Sequence, residues 1–213
     1  MSISATNRQI GKHQVDEQRI CILDAAEQLF LQNGLENTSM VDIATAAGIT
    51  RVTLYRYFAN RDSIAVEIQI RMLRKIDAMI NTNDDVSSPE SLRQRAQAMI
   101  RNFPQLQDAY RYIGMFDKIY LDNAPETALT QWTKDQLING NWGRPGLREF
   151  HRNQPYGNAI SVIFNNITWF LEKLALRGEL TWSDKDVPLE ENLRIFEDMI
   201  MGYFDRLMGS KEP

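Results

Sequence analysis

Residues 38–58 read TSMVDIATAAGITRVTLYRYF, and this stretch decides the fold. Thr38 or Ser39 offers a hydroxyl to cap a helix from about Met40 to Ala47, whose stripe is Met40, Ile43, Ala44 and Ala47. Gly48 tolerates the left-handed backbone of a helix end and supplies the stop. Thr50 then caps a second helix, Arg51 to Phe58, of about two turns. Two short helices meeting across a glycine turn is the arrangement in which one helix is braced while the other is presented to a DNA groove.

Spacing separates the two jobs of the second helix. Ile49, Leu54 and Phe58 share a face and are expected to pack against Ile43, Ala47 and Phe30. Each such side chain contributes roughly 1.5–3 kcal/mol when fully buried, enough to hold a helix too short to persist alone. Arg51, Val52, Thr53, Tyr55, Arg56 and Tyr57 are left for the outer faces, where Arg56 equally suits a solvated position. Arginine bonds guanine bidentately, threonine and valine methyls meet a thymine methyl, and tyrosine hydroxyls donate to phosphate. Thr38, Ser39 and the backbone amides at the helix starts near Met40 and Arg61 are further phosphate donors.

Upstream, Ile22, Ala25, Ala26, Leu29 and Phe30 predict a helix over about Asp16 to Asn33, ended by Gly34, with Leu35 folding back on its last turn. The arm at 1–15 reads as a flexible, solvated terminus; its Arg8 and Lys12 leave contact with phosphate or the minor groove as the alternative. Downstream, Asn60 caps a helix from Arg61 to Ile80, and the polar stretch Asn81 to Ser88 is a linker. Further helices are expected at Pro89 to Asn102, Pro104 to Asp122, Pro125 to Asn139, Gly157 to Arg177 and Leu189 to Met208, with a short extra one at Leu147 to His151. No segment alternates as a strand does. The fold is therefore all-α: an arm at 1–15, a three-helix helix-turn-helix domain at 16–62 and a helical bundle at 63–213.

Composition bounds the function. With 213 residues, 43% hydrophobic and 24% charged, the chain buries a core and is not disordered as a whole. A net charge of −4 opposes a nucleic-acid partner when taken alone. Its distribution reverses that argument, because from Ile49 to Arg61 the only charged side chains are Arg51, Arg56 and Arg61. The single cysteine, Cys21, cannot form an intrachain disulfide and reads as a small packed side chain rather than a redox sensor. His13 and His151 make no zinc spacing, and no cofactor motif is present. The absence of an apolar run of about 18 residues and of a secretory leader places the expected protein in the cytoplasm, away from any membrane.

Two further groups lie in the bundle. Tyr112, Phe116, Tyr120, Trp132, Phe164 and Trp169 either line an apolar effector cavity or form solid core. The last two long helices carry broad apolar stripes, and Gly202 sits inside the final one at a cost of roughly 1 kcal/mol against alanine, which close helix approach would offset. A four-helix dimer interface through Ile160, Ile163, Ile167, Leu171, Phe196, Ile200, Tyr203 and Leu207 is the expectation.

The segment from Ile22 to Ile68 closely resembles the TetR family of bacterial regulators. The resemblance is carried by Ile22-Leu23-Asp24-Ala25-Ala26, Leu29-Phe30 and Gly34, then Thr38-Ser39-Met40, Ile43-Ala44 with Ala47-Gly48-Ile49, and Thr53 to Phe58 with Arg61. It implies a homodimer reading a palindromic operator on double-stranded DNA, repressing transcription until a small ligand binds the carboxy-terminal domain. It also implies that Thr38, Thr50, Arg51, Thr53, Tyr55, Tyr57 and Arg61 touch DNA. Val52 stands where many members carry something small, and Arg61 where lysine is commoner. Competing readings are a helical ligand-binding or interaction module without operator recognition, and an enzyme acting on an apolar substrate in the bundle, for which no activated nucleophile is found.

Overall fold

The computed structural model describes residues 3–80, 88–122, 157–177 and 187–209, all helix and turn. Expected helices at Pro125 to Asn139 and Leu147 to His151 fall outside these residues. The chain divides into two units, Met1–Gln69 and Ile70–Pro213.

The first unit opens with α1 (Ile3–Asn33), which starts well before the expected Asp16. Residues 3–15 contain no proline and are rich in helix formers such as Ala5, Arg8, Gln9, Lys12 and Gln14, so propensity carries a helix through a stretch without an apolar stripe. Whether Arg8 and Lys12 reach DNA concerns side chains outside the described set. Further on, Ile22, Ala26 and Phe30 are completely buried. Cys21, beside Ile22, is exposed, which corrects its expected packing: one residue along a helix turns a side chain about 100° away. Gly34, at φ +85°, ends α1, and its N–H donates to the Phe30 carbonyl at 2.9 Å.

Helix α2 (Met40–Ala46) is followed by Gly48 at φ +65°, then α3 (Arg51–Tyr57) and α4 (Arg61–Ile80). Ile43, Ala44, Leu54, Phe58, Ile64, Ala65 and Ile68 complete the core of this unit. The start of α4 is capped by the Asn60 Oδ1, which accepts from the Ser63 N–H at 2.8 Å.

In the second unit, α5 (Pro89–Arg101) begins at a Ser88 cap with proline at its first position. Helix α6 (Phe103–Asp117) continues into a π-helical turn, Lys118–Asp122, where an uninterrupted α-helix was expected. It is buried on several sides through Phe103, Leu106, Tyr110, Tyr112, Ile113 and Phe116. Helices α7 (Gly157–Arg177) and α8 (Leu189–Gly209) complete the described bundle. Asp77 accepts from Arg95 at 2.7 Å, tying the end of α4 to α5, and Glu197 on α8 takes Arg101 at 2.7 Å and Gln97 at 2.6 Å. Phe170 and Phe196 stack at 3.8 Å between centroids, joining α7 to α8.

Helix α6 approaches α7 closely at Gly114. A Cβ there would lie 2.8 Å from the Leu176 Cδ1 and 3.4 Å from the Glu172 Cβ. Rotation of Leu176 accommodates one methyl; a branched side chain meets the Glu172 stem as well. Gly114→Ile is therefore expected to destabilise this unit by about 1–3 kcal/mol through overpacking, read as a lower unfolding midpoint in urea with an unchanged slope. A midpoint equal to the parent's would refute the close approach.

Candidate nucleic-acid interface

Helix α3 has seven residues, so its existence depends on what holds its ends and one side. At the start, the Thr50 hydroxyl accepts from the Thr53 N–H at 3.1 Å and lies 2.9 Å from the Thr53 hydroxyl. On the inner side, Leu54 is completely buried and Phe58 nearly so. The opposite side is open: Arg51, Val52, Tyr55 and Arg56 are exposed, while Thr53 and Tyr57 are half-buried. Val52 is 74% exposed and Tyr55 48%, so neither side chain is enclosed by packing among the described residues. No acid lies in the first turn of α3, leaving Arg51 and Arg56 as its charges.

Preceding α3, α2 is fixed by a capping box. The Ser39 hydroxyl accepts from the Asp42 N–H at 3.2 Å, and Asp42 Oδ2 accepts from the Ser39 N–H at 2.9 Å and its hydroxyl at 2.6 Å. These bonds, the side-chain one first, hold the Asp42 carboxyl below its ordinary value. A depressed carboxylate pKa adds stability above the ordinary range and loses it as pH falls through the lowered value, so this cap is intact at neutral pH and fails only in acid.

Among the other candidates, Arg61 is half-buried, and its Nη1 donates to the Glu36 carbonyl at 3.2 Å, which fixes the guanidinium beside the turn before α2. Thr38 is a correction. It is 1% exposed, and its hydroxyl donates to the Gly34 carbonyl at 2.9 Å, so it closes the end of α1 and does not face a phosphate. Two residues escaped the sequence reading. Val41 on α2 is 45% exposed, and Arg19 on α1 donates to the Tyr57 carbonyl at 3.2 Å and pairs with Glu67.

In the second unit, Tyr112 and Phe116 of α6 and Tyr120 of the π-helical turn that continues it are buried in sequence, with ring centroids 6.5 and 4.5 Å apart, and Phe164 is half-buried. Trp132 lies outside the described residues. Trp169 is 59% exposed and therefore belongs to the surface, not to a closed cavity with the others. The expected interface residues are also redistributed. Ile163, Ile167, Leu171, Phe196 and Ile200 are buried within the unit, Leu207 is half-buried, and the Ile160 side chain lies outside the described set. Of the seven whose side chains are described, Tyr203 is the exposed one, and it adjoins the α7/α8 groove with Val162, Trp169, Ile195 and Met199. A stripe broader than one helix contact has a core side and an outer side, and periodicity does not say which is which.

Residues 22–68 match the family model of bacterial regulatory proteins of the tetR family. A regulator of Mycobacterium tuberculosis named for mycofactocin biosynthesis, MftR, is 26% identical over 187 residues, 87% of this chain and 90% of that protein. Over residues 22–68 the chain is therefore similar to the TetR family of regulators. Matched residues 22–68 run from the buried Ile22 of α1 through both short helices to the buried Ile68 of α4. The fold of TetR-family regulators extends over the remainder. PfmR of Thermus thermophilus superposes with a TM-score of 0.55 at 23% identity, covering 85% of this chain and 97% of that one. AibR, solved in complex with isovaleryl coenzyme A and operator DNA, gives a TM-score of 0.59 at 16% identity, covering 88% and 98%. The chain is thus similar to DNA-binding transcriptional regulators, and its described helices include none long and apolar enough to cross a membrane.

Proposed function

We propose that the chain is a ligand-responsive repressor that acts in the cytoplasm by binding alone, gripping a palindromic operator as a homodimer. The observation that carries this reading is the open side of α3, where Arg51, Val52, Tyr55 and Arg56 face outward from a helix anchored by Leu54 and Phe58. Ser39, Thr50, Thr53, Tyr57 and Arg61 flank it and supply hydroxyls and charge toward phosphate. A second copy, joined through the α7/α8 groove, places two such helices in successive major grooves, about 34–36 Å apart or a multiple of that. AibR, seen with both a ligand and operator DNA, supports the pairing of an effector with DNA release or capture on this fold. The effector would act by binding one spacing of the two reading helices better than another, with the buried ring series of α6 as the candidate wall of its site.

Selection of bound sequences from random duplex DNA tests this directly. A palindrome is expected, with binding that weakens as salt rises. Recovery of no preferred sequence would overturn operator reading. Arg51→Ala and Tyr55→Ala are expected to weaken the selected site by roughly 5- to 150-fold, the range of a lost base contact, while leaving the sedimentation profile unchanged. Titrations in which both variants match the parent at every salt concentration would remove these two residues from the interface.

A further inference from the structure

We propose that Arg19 is a positioning residue for DNA reading: it locks the carboxyl end of α3 to α1 and α4 and so fixes the orientation in which α3 is presented. The inference rests on the operator-reading function proposed above. It starts from the shortness of α3. The last carbonyls of any helix lack intrahelical donors, and at the end of α3 the chain turns away at once, Phe58 standing at φ −137° and ψ 125°. The Phe58 N–H returns to the Leu54 carbonyl at 3.0 Å. The Tyr57 carbonyl, three residues further along, accepts from the Arg19 Nη1 at 3.2 Å.

The same guanidinium makes two more contacts. Its Nε donates to the Glu67 Oε2 at 3.2 Å and its Nη2 to the Glu67 Oε1, a two-pronged grip on α4. Its central carbon stands 4.3 Å from the centroid of the Phe58 ring. One planar cation thus meets a carboxylate, a helix-end carbonyl and an aromatic face at once, which lysine, a point charge, cannot reproduce. A positive charge also suits the carboxyl end of a helix.

Strength is not what this contact supplies. Side chains of Arg19 and Glu67 are 37% and 33% exposed, and ion pairs this open contribute little to stability. Geometry is the larger effect. Thr50 fixes the start of α3 and Leu54 its inner side; without Arg19, the end that carries Tyr55, Arg56 and Tyr57 has no polar tether to α1 or α4 among the described contacts.

The test uses the full chain, a duplex recovered by the parent protein from random DNA, and a scrambled duplex of equal length. Arg19→Ala and Arg19→Lys are expected to lower affinity for the recovered duplex about tenfold, a change of ~1.4 kcal/mol, with affinity for the scrambled duplex held within about twofold. Amide hydrogen exchange is expected to quicken about tenfold over residues 54–58 and to stay unchanged over residues 22–30. The paired reversal Arg19→Glu with Glu67→Arg restores an α1–α4 ion pair without the Tyr57 and Phe58 contacts, and is expected to remain defective. Unchanged selectivity with unchanged exchange overturns the proposal, as does full recovery in the paired reversal or faster exchange spread evenly through α1. If the parent recovers no preferred sequence, operator reading fails, and the exchange pattern alone still decides whether Arg19 tethers α3.

Discussion

A chain carrying both Ile195→Glu and Met199→Glu is expected to sediment as a monomer at micromolar concentration and to lose a hundredfold or more of its operator affinity. The two side chains lie four residues apart on α8, each 52% exposed, and line one groove with Val162, Trp169 and Tyr203. Monomeric proteins rarely leave so contiguous an apolar surface open to water. Burial of each such side chain against a second copy is worth roughly 1.5–3 kcal/mol, and an interface with twofold symmetry would bring four introduced carboxylates onto one desolvated patch. Their desolvation and mutual repulsion exceed that gain, so the pair separates. The loss on DNA then follows from effective concentration, since a second half-site engaged through a tether commonly adds 10²–10⁴ to affinity without any new contact. Because both side chains are already half open, the monomer should keep its helical circular dichroism and melt within a few degrees of the parent. A dimer that survives both substitutions would show that this face is not where copies meet.

The helix-turn-helix segment was legible because its signals are local. Glycines at 34 and 48 do adopt positive φ, the hydroxyls of Ser39 and Thr50 do cap, and Leu54 and Phe58 do turn inward. Each of these is decided by residues within four positions of one another. Arg19 was illegible for the converse reason: Glu67 is 48 residues away, and nothing around Arg19 announces that a helix end will arrive beside it. Thr38 misled because a hydroxyl before a helix reads as a donor to phosphate, whereas the turn at Gly34 brings a backbone carbonyl within 2.9 Å of it first. The start of α1 was missed by looking for an apolar stripe where propensity alone sustains the helix. In the bundle, spacing found which residues of α7 and α8 are apolar, but the crossing of neighbouring helices decides that Ile167 and Leu171 face inward while Val162 and Trp169 face out. That crossing is a tertiary fact with no local trace.

Leu54→Ala should abolish binding to every duplex, selected or scrambled, by a route distinct from loss of a DNA contact. Leu54 is completely buried, is the buried residue within α3, and accepts through its carbonyl the Phe58 N–H that closes the helix. Truncating a buried leucine costs about 2–5 kcal/mol, from lost transfer energy and from the cavity left behind. A domain has only about 5–15 kcal/mol of stability to lose, and a unit of fewer than a hundred residues shifts its melting point by about 4–8 °C per kcal/mol. The amino-terminal unit is therefore expected to melt more than about 8 °C lower, with exchange quickening throughout residues 22–68. Arg51→Ala separates the two effects, because an exposed arginine contributes little to folding: it should spare the melting point and largely spare the scrambled duplex while weakening the selected one. If Leu54→Ala instead keeps the parent's melting point and loses only the selected duplex, α3 is not anchored through its inner side, and the division of its faces into a buried anchor and an open reading surface is wrong.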